Sequence, residues 1–138
     1  MVDLELWYDL ESDEPTIVRD PAELDAALDI VAGWPGRIIV DVYVAANPAR
    51  AVFNVGVHGE AGRGALYYSG DGGAWFSQGA PGPDRSPVET ILYYYMNSDT
   101  EYPADSEIPL DVVRRAAHEY MTTGGNRPTV TDWQVRRP

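Results

Sequence analysis

The chain has no cysteine. That excludes disulfides, thiolate zinc sites, iron–sulfur clusters and a cysteine nucleophile, and it fits a reducing compartment. Lysine is also absent, because all ten basic residues are arginine. A phosphate loop of the Walker type is therefore ruled out, since it requires a lysine. No apolar run approaches the roughly 18 residues of a membrane-spanning helix. The first residues, MVDLELWYDLESDEP, are acidic and lack the basic and then apolar regions of a signal peptide. The expectation is a soluble cytoplasmic protein of one domain, with no membrane partner.

Positive charge is scarce as well. Twenty-two carboxylates against ten arginines give a net charge of −12. Such a surface argues against direct nucleic-acid binding, which needs cations to neutralise phosphates. It suits a basic protein partner, although many proteins are acidic for solubility alone. The charge is uneven. Residues 1–35 hold ten carboxylates and only Arg19. A second acidic run contains Asp99, Glu101, Asp105, Glu107 and Asp111, and five arginines follow it.

The pattern predicts an α+β fold, with a mainly antiparallel sheet of about five to seven strands and two helices packed on one face. Alternation of Val2, Leu4, Leu6 and Tyr8 with Asp3, Glu5, Trp7 and Asp9 marks a half-buried first strand. A helix follows, with Asp20 at the N-cap, Pro21 in the first turn and Glu23 as a capping-box glutamate. Leu24, Ala27, Leu28 and Val31 form its apolar stripe, and Gly33 and Pro35 end it. Strands are expected at 37–44, 51–58, 64–69, 73–78 and 89–96, with a proline-rich loop at 82–88. A second helix starts near Pro109, buries Val113, Ala116, Ala117 and Tyr120, and stops at Gly124. A last strand lies within 129–135.

Chemistry finds little support. His58 and His118 are the two histidines, and there is no G-x-S-x-G elbow, H-E-x-x-H or EF-hand loop. Asp99, Glu101 and Asp105 lack the glycine and terminal glutamate of a calcium loop. No metal and no cofactor is expected. Glycines in SGDGGAWFSQG lead into the strand formers Trp75 and Phe76, so Asp71-Gly72 reads as a hairpin turn.

Aromatics are plentiful near that turn. Tyr67, Tyr68, Trp75 and Phe76 flank it, and Tyr93, Tyr94, Tyr95 and Tyr102 follow. On a strand, Tyr93 and Tyr95 share one face and Tyr94 takes the other. Tyrosine and tryptophan are common anchors at interfaces, and they also line core edges with their hydroxyls in water.

GALYYSG, followed by SEIPLDVVRRAAHEYMTTGGNRPTVTDW, resembles immunity protein family one of bacterial polymorphic toxin systems. The likeness rests on Ile108-Pro109 opening a helix, apolar positions ending at Tyr120, Thr123-Gly124, Arg127-Pro128 and Trp133. The Tyr67-Tyr68 hairpin matches the middle of the family. The resemblance implies a non-enzymatic antitoxin that binds a cognate secreted toxin, often a basic nucleic-acid deaminase. The residues expected to meet the toxin are Tyr67, Tyr68, Asp71 and Trp75 on the hairpin. Asp99, Glu101, Tyr102 and Asp105, on a later acidic loop, come next. Two other readings stay open: a small-molecule-binding domain or enzyme with a tyrosine-lined pocket, and a chaperone for toxin secretion.

Overall fold

A computed structural model describes residues 1–8, 13–79, 90–95 and 98–136. The loop expected at 82–88 lies outside these residues, as do the ends of the strand expected at 89–96. The chain runs β1 (Leu4–Trp7), β2 (Thr16–Val18), α1 (Pro21–Ala32), β3 (Ile38–Val44), β4 (Val52–His58), β5 (Arg63–Gly70) and β6 (Gly73–Gln78). It continues with β7 (Thr90–Tyr95), β8 (Ser98–Pro103), β9 (Ile108–Pro109), α2 (Leu110–Thr123) and β10 (Asp132–Val135). Seven strands form one antiparallel path in the order β10-β6-β5-β4-β3-β1-β2.

Local chemistry explains the helix ends. The Asp20 carboxylate accepts from the Glu23 amide at 2.8 Å, satisfying one otherwise unpaired donor of the first turn. Glu23 reaches back to the amide of Arg19 at 2.7 Å, one residue before the position of a standard capping box. Gly124 closes α2 at φ +76°, a conformation that costs glycine nothing. The Asp71-Gly72 turn has φ of +53° and +87°, as a type I′ hairpin requires.

Period-two alternation sorts the sheet into two faces. Leu4, Leu6, Val40, Val42, Phe53, Val55, Leu66 and Tyr68 point toward the helices. There they meet Leu24 and Leu28 of α1, and Val113, Ala117 and Tyr120 of α2. Phe53 stacks on Tyr120 with centroids 4.3 Å apart. Arg114 ties the two helices together, 3.0 Å from Asp25 and 2.7 Å from Asp29.

The opposite face is covered in part by the β7–β8 hairpin. Its buried Tyr93 and Tyr102 pack with Ile39 and Ala65 of the sheet. Tyr93 lies where a Cβ on Gly56 would stand, only 2.7 Å from the ring edge, so glycine is needed there. A parallel bridge, Ile38 to Tyr94, joins the hairpin to β3. Strand β8 corrects the acidic loop expected around residues 99–105. Its register with β7 sets Thr100 and Tyr102 inward and leaves Asp99 and Glu101 outward.

Candidate partner-binding surface

The eight residues singled out from sequence do not form one surface. Tyr68 and Trp75 are cross-strand neighbours on the helix-side face. Tyr68 is fully buried, which corrects its expected exposure. Its hydroxyl donates to the Gly125 carbonyl at 2.9 Å and stands 3.2 Å from Asp71. Trp75 is half-buried beneath the Arg127 guanidinium, 4.1 Å from the ring centroid. Asp71 is exposed at the turn, but it pairs with Arg50 at 3.1 Å.

Tyr67 takes the other face of the sheet. It packs against Phe76 at 5.1 Å, and its hydroxyl accepts from Arg136 at 3.2 Å. Tyr102 is buried between Phe76 and Tyr93, so its expected exposure is corrected too. Asp105 sits in a 3-10 turn, Ala104–Ser106, and accepts from Gln78 at 3.2 Å and Gln134 at 3.0 Å. It therefore joins β6 and β10 to that turn. Asp99 and Glu101 are exposed, and their side chains make no hydrogen bond or ion pair among the described residues.

Two surfaces result. The first is the outer face of the β7–β8 hairpin. Leu92 faces Glu101 across the register, and Tyr94 faces Asp99. Leu92 is 39% exposed and Tyr94 42%, high values for large apolar side chains. The sequence already set Tyr94 apart from its neighbours by parity, whereas Leu92 drew no attention as an ordinary strand residue.

The second surface is the row of the sheet beside the hairpin. Registers align Trp7, Asp41, Asn54, Tyr67 and Phe76 across five strands. Asp41 is the carboxylate of this row, a single acid inside the apolar run RIIVDVYV. Its signal was parity alone, since it alternates with Val40 and Val42. Burial pushes its pKa up, and hydrogen bonds from Tyr43 and Asn54 only partly offset that.

His58 and a buried carboxylate come together at the far end of β4. Glu107 accepts from Tyr93 at 2.9 Å and Arg37 at 3.2 Å, and His58 Nδ1 lies 3.5 Å away. The Glu107 side chain is only 2% exposed, so it anchors the hairpin to the sheet rather than facing a substrate. Among the described residues no cluster of three histidines or carboxylates could hold a metal ion. No described helix is long and apolar enough to cross a membrane. A cleft of about 310 Å³ beside Glu107 and Val112 has no tyrosine in its lining.

A family model, Immunity protein Imm1, matches residues 12–135. The chain belongs to this immunity-protein family. A search of curated proteins returns no match. Membership makes the chain an immunity protein of a bacterial polymorphic-toxin system, not an enzyme, and its partner is a secreted toxin. The match spans every element from β2 to β10, and so both helices and the β7–β8 hairpin. An immunity protein acts by binding, so its exposed aromatics and unpaired acids are its relevant chemistry.

Proposed function

We propose that this immunity protein neutralises a nucleic-acid deaminase toxin by occupying the groove that receives the substrate's phosphates. The observation that carries this reading is the outer face of the β7–β8 hairpin. There, exposed Leu92 stands opposite Glu101 and exposed Tyr94 opposite Asp99, and the two carboxylates have no ion pair within the described residues. An enzyme that binds nucleic acid must line its groove with cations. The two carboxylates would take the place of phosphates, and Tyr94 would supply an anchor of about 2 kcal/mol. The net charge of −12 speeds the encounter with such a partner.

The test is rescue in cells that express the cognate toxin. Co-expression should restore growth and abolish deamination of cellular nucleic acid. Continued deamination, with the toxin bound but active, would replace inhibition by a chaperone role. Absence of any complex would end the proposal.

A further inference from the structure

Tyrosine–carboxylate pairs recur among the described residues, and an arginine joins those at Asp71 and Glu107. Tyr68 lies 3.2 Å from Asp71, and Arg50 completes the set at 3.1 Å. Tyr93 donates to Glu107 at 2.9 Å, and Arg37 completes that set at 3.2 Å. In another, Tyr43 donates to Asp41 Oδ2 at 2.8 Å. The other oxygen of Asp41 accepts from the neutral amide of Asn54 at 2.9 Å. Among the described residues no cation pairs with Asp41.

Position makes this difference meaningful. Asp41 lies on the sheet face away from the helices, between Trp7 of β1 and Asn54 of β4. Tyr95, at the end of β7, is kept from ionising first by burial and then by the nearby charge of Asp41. A half-buried carboxylate with only neutral donors is held at a cost to folding. Groups kept at such a cost on an accessible face are candidates for binding.

We propose that Asp41, framed by Tyr43 and Trp7, receives an arginine side chain of the toxin. This rests on the immunity reading above and names the contact through which it acts. A carboxylate has about four acceptor sites, and two neutral donors leave room for a guanidinium. Aromatic neighbours suit the flat face of arginine better than the compact, strongly hydrated ammonium of lysine. An anion would be repelled, and a neutral group would leave the charge uncompensated. Further along the same row, Arg136 already lies over Tyr67, 5.7 Å from its centroid, so this face accepts a guanidinium against tyrosine. The toxin arginine would be one that otherwise holds a substrate phosphate, and its capture would remove that contact.

The experiment compares the full chain with its Asp41→Asn variant in binding to the purified toxin domain and in urea unfolding. The amide keeps the shape and removes the charge. Toxin affinity should fall at least about tenfold, as for a charge pair that loses one partner. The unfolding midpoint should stay the same or rise, an outcome that a structural role for the charge would not give. Asp41→Thr, a good strand former, supplies the same reading if the amide variant folds poorly. One toxin Arg→Ala substitution should cause a similar loss and show no further effect on top of Asp41→Asn. If Asp41→Asn binds within about twofold of the parent chain, or its effect adds to that of every toxin arginine, the Asp41 contact is wrong while inhibition stands. If the parent chain does not bind the toxin, both readings fall together.

Discussion

Arg50 holds Asp71 across 21 residues of sequence, at 3.1 Å, and its second nitrogen donates to Asn126 at 2.8 Å. The β5–β6 turn is thereby fastened to the chain just past α2. The carboxylate that looked most available for a partner is already committed within the fold.

Asp71→Asn should therefore cost little. Asparagine tolerates the positive φ of this turn, and a surface ion pair contributes about 1 kcal/mol or less. Urea unfolding should register that small loss, and toxin affinity should not change. A tenfold or greater drop in affinity would return the turn to the interface.

Tyr102 separates packing from polarity. Its ring fills the space between Phe76 and Tyr93, but its buried hydroxyl has no hydrogen-bond partner among the described residues. Tyr102→Ala should destabilise by about 3–5 kcal/mol, as other large-to-small core changes do. Tyr102→Phe should be neutral or stabilising, because it removes an unpaired buried polar group. Thermal unfolding of the two variants checks both. A large loss from the phenylalanine variant would mean that the hydroxyl is hydrogen-bonded in solution.

Glu107 sets the acid limit of stability. Burial alone would raise its pKa, but hydrogen bonds from Arg37 and Tyr93 and the charge of Arg37 outweigh burial and hold it below 4.5. Asp25 is likewise held below 3.8: burial raises it, and Arg114 and His118 more than offset that. A carboxyl with a lower pKa folded than unfolded binds fewer protons in the native state. Its contribution is whole above the unfolded value and is lost as pH falls through the folded one. The share of the unfolding free energy that these two carboxylates supply should be constant from neutral pH to about 5 and then fall. Glu107→Gln should cost about 1–3 kcal/mol at pH 7 and flatten that fall. An unchanged acid slope in the variant would remove Glu107 from this role.

Much of the frame was legible in the sequence, because it is written in local chemistry. Asp20, Pro21 and Glu23 announce α1, Gly124 closes α2, and Asp71-Gly72 makes the hairpin. What local pattern cannot convey is pairing across distance. Strand β8 was hidden because Asp99, Glu101 and Pro103 are poor strand formers, and only the register with β7 reveals its alternation. Tyr67 and Tyr68 look equivalent until β4 and β6 fix which one meets the helices. Tyr102 and Asp105 resembled surface residues because they stand among acids, yet one is core and the other is bound by two glutamines. Asp41 stayed hidden for the opposite reason, as a single acid inside an apolar strand.

Tyr94→Ala and Glu101→Arg test the outer face of the hairpin. Both side chains point away from the packed face, so unfolding midpoints should barely move. Toxin affinity should fall by about 2 kcal/mol for Tyr94→Ala. Glu101→Arg should mainly slow association and weaken its dependence on salt. Intact affinity and unchanged rates in both variants would move the interface elsewhere on the molecule.

The most direct measurement is a titration of the purified cognate toxin domain with the purified immunity protein while deamination of nucleic acid is followed. Activity should decline linearly and vanish near one equivalent, with competition by added nucleic-acid substrate. Full deaminase activity in the presence of excess immunity protein would contradict the account.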